Sequence, residues 1–201
     1  MKLIVALGNP GEEYAKSRHN VGWMVADAFA EKFRIKIDKH EKNAMTGTGR
    51  VAGGAVMVAK PLTYMNLSGD AVKLLTNAYL ESPDDLIVVF DEIDLPLGQL
   101  RIKPSGSSGT HNGMRSVVAS LATERFPRLR FGVRGADYAE VSRLRDYVLD
   151  DFTPEQQPLV ERGIQRAVDA LVLFARGDLR RAMNEFNRDV VTEEPENPSP
   201  S

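Results

Sequence analysis

The chain has 201 residues, no cysteine, and 26 basic against 28 acidic side chains, for a formal charge of −2. That length accommodates one well-buried core. The lack of cysteine excludes disulfides, thiolate metal sites and a cysteine nucleophile, and a near-neutral total gives no hint by itself of a polyanion partner. Apolar runs such as Leu3 to Leu7 and Leu86 to Phe90 have five residues each and none exceeds six, far short of the ~20 that span a bilayer. With no membrane span, and no apolar leader or small-residue cleavage site after Met1, the expected location is the cytoplasm.

Strands and helices alternate along the chain. Leu3 to Leu7 reads as a buried strand. It leads into the turn Gly8-Asn9-Pro10-Gly11, then Tyr14, the segment Ser17 to Gly22, and a helix on which Val21, Met24, Val25, Ala28 and Phe29 recur at helical spacing. Strands are expected at 46–51 and 55–59, after which Leu62 to Gly69 forms a second polar turn entering a helix. A strand at 86–90 is expected to end in a third polar turn, Asp91 to Pro96. After a strand at 99–103, the loop from Ser105 to Gly113 enters a helix with Met114, Val117, Val118 and Leu121 on one face. A strand at 128–133 precedes a long helix carrying the stripe Val160, Ile164, Ala167, Val168, Leu171 and Ala175. Thr153-Pro154-Glu155-Gln156 resembles a capping box, but Pro158 lacks an amide, which moves the helix start to Gln157. Gly177 and Asp178 close that helix and cap a last one, with Leu179, Ala182, Met183 and Phe186 facing the core. This order predicts a single α/β domain over residues 1–187 with a largely parallel sheet. Residues 188–201, acidic and proline-rich, cannot repay the entropy of ordering and are expected to form a disordered tail.

Charge is distributed unevenly. From Arg101 to Arg145 there are nine basic residues and three acidic ones, a local +6 that leaves −8 for the rest. A basic stretch on an acidic body fits either a solvated face or a polyanion footprint. The four polar turns follow strands or enter helices, where open α/β sheets bind ligands. They carry Asn9 and His19, Asn66, Asp91, and His111 with Asn112. Each alone fits a turn or helix-cap role, whereas four turns converging on one sheet edge fit an assembled site. A histidine can take a proton from water near neutrality, a carboxylate can orient it, and amides can donate to an oxyanion. Together they point to water attacking an ester or amide carbonyl. Phosphate-loop, dinucleotide, zinc-helix and nucleophile-elbow motifs are absent. A serine triad through Ser17 or Ser68 stays open. His19, His40 and His111 lack metal-ligand spacing, although Asp91 or Asp94 could join them, and no metal is expected.

Five spaced motifs resemble those of bacterial-type peptidyl-tRNA hydrolases. They are Leu7-Gly8-Asn9-Pro10-Gly11; Tyr14 with Arg18-His19-Asn20-Val21-Gly22; Lys60-Pro61 through Tyr64-Met65-Asn66-Leu67-Ser68-Gly69; Asp91-Glu92-Ile93-Asp94-Leu95; and His111-Asn112-Gly113. The resemblance runs from about Met1 to Asn187. It implies a monomeric, cofactor-free and metal-independent enzyme with no obligate protein partner, whose mixed, twisted sheet is flanked by helices on both faces. Such an enzyme cleaves the ester joining a stalled peptide to tRNA and so recycles the tRNA. It further implies that His19 activates water and that Asp91 orients His19. Asn9, Asn66 and Asn112 would position peptide, water or oxyanion, Met65 would form an apolar wall, and Tyr14 would lie beside the site. Lys103 and Arg130, inside the +6 stretch, would meet tRNA phosphate.

Two departures from the family pattern stand out. Ser107, Ser108 and Thr110 replace glycines usual before His111, and Gly132 to Ala136 lacks the family's proline, which implies an altered loop there. Two other functions fit part of the pattern. A non-hydrolytic RNA-binding relative would have no need of His19 and Asp91 together, and a general esterase would act independently of salt and tRNA.

Overall fold

In the computed structural model, which describes residues 1–136, 138 and 143–188, seven strands form one mixed sheet in the order β2-β3-β4-β1-β5-β7-β6. The elements along the chain are β1 (Lys2–Ala6), α1 (Val21–Lys32), β2 (Lys39–Glu41), β3 (Ala44–Val51), β4 (Gly54–Pro61), α2 (Ser68–Tyr79), β5 (Leu86–Pro96), β6 (Leu100–Lys103), α3 (Asn112–Leu121), β7 (Arg128–Arg134), α4 (Leu144–Leu149), α5 (Gln157–Ala175) and α6 (Leu179–Phe186). The central strands β4, β1, β5 and β7 pair in parallel, while β2 to β3, β3 to β4 and β6 to β7 pair antiparallel.

β1 is covered on both faces, which is why it reads as an unbroken aliphatic run. Ile4 and Ala6 join a core with Val25 and Phe29 of α1, Val168 and Leu171 of α5, and Ala182 of α6. Leu3 and Val5 face the opposite way, into a core with Val72 and Leu75 of α2 and Met114 and Val117 of α3. Helices therefore flank both faces of the sheet. Strand alternation divides one apolar segment between two cores, each closed by helices whose apolar stripes match it.

The start of α5 at Gln157 follows from Pro158, and half of the capping box still forms, since the Gln156 side-chain oxygen accepts from the Thr153 amide at 3.1 Å. Gly177 ends the helix with a φ of 84°, and the Asp178 carboxylate caps α6 through the Arg181 amide at 3.1 Å. Strand ends otherwise shift by one or two residues, but that of β5 differs more, and α4 is not among the expected elements. Asp91 to Pro96 is not a turn, because β5 runs on to Pro96 and pairs with β7, with a register shift between Glu92 and Pro96. A buried carboxylate is tolerated in this strand because imidazoles satisfy it, as described below. β2, made of Lys39, His40 and Glu41, offers no apolar signal in sequence. Residues 189–201, nearly all of the expected tail, and residues 137 and 139–142, just after the Gly132 to Ala136 stretch for which an altered loop is expected, lie outside the described residues.

Candidate active site

The parallel strands β1, β4 and β5 direct their carboxyl ends to one edge of the sheet, and the polar segments that follow meet there. His19 sits in a single 3₁₀ turn, Arg18–Asn20, directly before α1. Gly22 allows that helix to start against the sheet. A Cβ on it would lie 2.6 Å from the Leu7 carbonyl oxygen and 2.8 Å from that of Val89, so no side chain fits between α1 and the backbone just after β1 and within β5. His19 is thereby brought to Asp91, its Nδ1 2.8 Å from Asp91 Oδ1.

His111 reaches the same oxygen, with Nε2 at 2.9 Å, and its ring centroid lies 5.0 Å from that of His19. It caps α3, and its Nδ1 accepts the Met114 amide at 3.1 Å. Because Nδ1 accepts, Nε2 carries the proton and donates it to Asp91. Asp91 is 3% exposed. Burial alone would raise its carboxyl pKa, but the charges and hydrogen bonds of His19 and His111 outweigh burial and hold it well below the usual carboxylate range. His19 then donates from Nδ1, leaving Nε2 as the acceptor of a residue that lines a cavity. Burial pulls the His19 pKa down, but the Asp91 charge and hydrogen bond turn the net shift upward.

The amides are placed with comparable care. Asn20, fully buried, accepts the Asn9 amide at 2.8 Å and returns a bond to the Asn9 carbonyl at 2.9 Å. The Asn9 side-chain oxygen accepts the Met65 amide at 2.9 Å. Its oxygen is thus occupied, and its Nδ2 is the donor left to offer. Neither Asn66 nor Asn112 caps a helix: α2 has Leu67 at its cap position with no side-chain bond, and α3 has His111. The serine alternatives fall away, because buried Ser17 and Ser68 donate their hydroxyls to the Tyr14 and Met65 carbonyls at 2.9 and 2.8 Å.

These groups open on one cavity of about 850 Å³. It is lined by His19, Asp91, Asn9, Tyr14, Met65, Asn66 and Asn112, together with His111, Tyr64, Ile93 and α4 residues including Leu144 and Val148. Lys103 and Arg130 do not line it. They lie on the neighbouring strands, where Lys103 is exposed at the end of β6 and Arg130 on β7 bridges Glu92 of the cavity wall at 3.2 Å. The charge count overstates the basic surface. Arg128 is fully buried and donates to the Glu124 and Phe126 carbonyls at 2.8 and 3.3 Å, as well as to those of Gly106 and Ser107.

The sequence brought His111 and Asn20 into the motifs without giving either a role, and it did not signal the α4 wall. His111 stood in a polar turn beside Asn112, but its bond to the Asp91 carboxylate comes from the fold alone. Ligand atoms of His19, Asp91 and His111 fall within 4.8 Å of one another, close enough for a metal. Both nitrogen-oxygen contacts are, however, of hydrogen-bond length, and a cation would have to displace the protons that join the three.

An imidazole oriented by a buried carboxylate, with a bare nitrogen beside amide donors in an open cavity, fits the class of hydrolases. Residues 3–195 match the family model described as peptidyl-tRNA hydrolase, and the chain belongs to that family. It is 44% identical over 188 residues to the peptidyl-tRNA hydrolase of Geobacillus kaustophilus, covering 93% of this chain and 100% of that one. It is 40% identical over 190 residues to that of Bacillus subtilis, covering 94% and 100%. A solved peptidyl-tRNA hydrolase from Acinetobacter baumannii superimposes with a TM-score of 0.85 at 34% identity, covering 93% of this chain and 94% of the other.

Proposed function

We propose that the chain hydrolyses the ester between a peptide and tRNA, with His19 as general base. Water in the cavity loses a proton to His19 Nε2 as its oxygen attacks the ester carbonyl. The tetrahedral oxyanion accepts from amide donors of Asn9, Asn66 or Asn112. Its collapse breaks the bond to the ribose oxygen, which leaves with the proton held on Nε2. Asp91 keeps His19 in the tautomer with Nδ1 protonated and stabilises the imidazolium while it exists. His111 saturates the same carboxylate oxygen and restrains it. Met65 and Tyr14 contact the peptide side, and Lys103 and Arg130 the tRNA phosphates.

The observation that carries this reading is the oriented His19 with its remaining nitrogen on the cavity. We further propose that residues 1–187 act as one catalytic domain, as a monomer without cofactor or obligate partner, in the cytoplasm. No helix among the described residues is long and apolar enough to cross a membrane. The test is to incubate the protein with an N-acetyl-aminoacyl-tRNA and with its free-amine counterpart. Selective release of the acylated amino acid is expected, and equal or absent cleavage of the two overturns the reading.

A further inference from the structure

The residue before His19 is buried for a reason that its charge does not supply. Arg18 is 2% exposed, and its guanidinium lies 4.1 Å over the ring of Tyr147. It donates to the carbonyls of Tyr147, Asp150 and Asp151 at 3.3, 3.2 and 2.8 Å and to the Gln156 side-chain oxygen at 3.1 Å. Those carbonyls belong to the last turn of α4 and the residues just beyond it, where backbone oxygens lack intrahelical partners and carry the negative end of the helix dipole. The main chain adds to the attachment, since the Arg18 amide donates to the Asp150 carbonyl at 3.0 Å and Ser17 pairs with Asp151. A second attachment lies across α4, where the Tyr147 hydroxyl donates to the Val133 carbonyl at 3.0 Å and accepts the Gly135 amide at 2.9 Å. α4 has six residues, too few to hold a helix in water unaided. Yet it supplies Leu144, Arg145, Val148 and Leu149 to one wall of the cavity.

We infer that Arg18 is a positioning residue that sets the α4 wall at its working distance from His19. One end of Arg18 is covalently next to the base, and the other holds the surface against which the peptide portion of the substrate lies. Nη1 serves the three carbonyls while Nη2 holds the Gln156 oxygen, a two-pronged planar arrangement that a lysine ammonium on a flexible stem cannot reproduce. The inference rests on the hydrolase reading above. Arg18 acts through the wall, because its partners are the carbonyls after α4 and Gln156 rather than the reacting ester.

The test is steady-state cleavage of N-acetyl-aminoacyl-tRNA and of a tRNA carrying a longer N-acetylated peptide, by wild type and by Arg18→Lys. Loss of several charged hydrogen bonds under the wall is expected to raise KM on the order of tenfold, with kcat changed less than about threefold. The KM effect is expected to be larger for the longer peptide, with the pH inflection of kcat/KM and the affinity for deacylated tRNA unchanged. Tyr147→Phe keeps the ring under the guanidinium but loses the bonds to Val133 and Gly135. It is expected to raise KM in the same direction by less, and it decides the question if Arg18→Lys does not fold. Unchanged KM, a fall in kcat at constant KM, or a shifted pH inflection overturns the inference. If wild type itself fails to cleave the peptidyl-tRNA, the hydrolase reading fails; if wild type cleaves and the variants match its KM, only the role of Arg18 does.

Discussion

Asp91 and Glu41 are both held ionised by their neighbours, and of the two only Asp91 serves a cavity. Asp91 on β5 is buried between the imidazoles of His19 and His111. Glu41 ends β2 at the sheet edge, four strand spacings or roughly 19 Å away. It accepts from the Tyr79 hydroxyl, from Thr46 at 2.8 Å and from Lys39 at 3.1 Å. The Tyr79 bond, opposed by burial and aided by Thr46 and Lys39, brings its carboxyl down to about 2, and the Tyr79 hydroxyl is pushed up in return. A depressed carboxylate therefore does not by itself mark a site. The groups around Glu41 bond inward and tie β2 and β3 to the end of α2. At Asp91 one partner has a second nitrogen that the cluster leaves to the cavity, and that difference separates a fastening from a catalytic device.

Three substitutions test the contrast. The largest effect is expected from His19→Ala, which removes the proton acceptor and lowers single-turnover cleavage about 10²- to 10⁴-fold while tRNA affinity is retained; unchanged turnover would break the contrast at its root. Asp91→Asn comes next. An amide neither holds the tautomer nor stabilises the imidazolium, and turnover is expected to fall about a hundredfold. The pH profile sharpens this. Because the His19 pKa lies above 6.5, the base stays protonated to higher pH, and kcat/KM of wild type climbs through an inflection above that value. The stability from the charged His19–Asp91 pair is complete below 6.5 and is lost as pH rises through the folded value. In Asp91→Asn the inflection moves down, and an unmoved one would show that Asp91 does not set the His19 pKa. The smallest effect belongs to Glu41→Gln, which leaves turnover unchanged and costs about 1 kcal/mol in denaturant unfolding near neutrality. Stability from Glu41 is present above 4.5 and lost as pH falls toward about 2, so the unfolding curves of wild type and variant should converge over that window.

Much of the frame was legible in residue order. The aliphatic runs of β1, β4 and β5 and the stripes of α1, α3 and α5 carry strong periods, because one face or both must leave water. The glycine and asparagine turns marked the segments that supply the site. Legibility failed where a residue's environment is supplied by distant chain. Asp91 read as a turn residue because a carboxylate inside a strand is unfavourable unless imidazoles from two other segments satisfy it. Arg128 counted toward a basic surface although its guanidinium is consumed by backbone carbonyls in the interior. Arg18 stood beside His19 in a motif, yet its partners at Tyr147, Asp150 and Asp151 lie more than a hundred residues on.

Residue order alone thus determined which segments bury and which bend, together with the chemical types available at the bends, since propensity and periodicity act over a few neighbours. Tertiary structure decided which of those groups share a proton, which nitrogen of His19 stays bare, and which arginines belong to the interior. Hydrogen-bond saturation and desolvation depend on what the fold brings within about 3 Å, and sequence distance does not encode that.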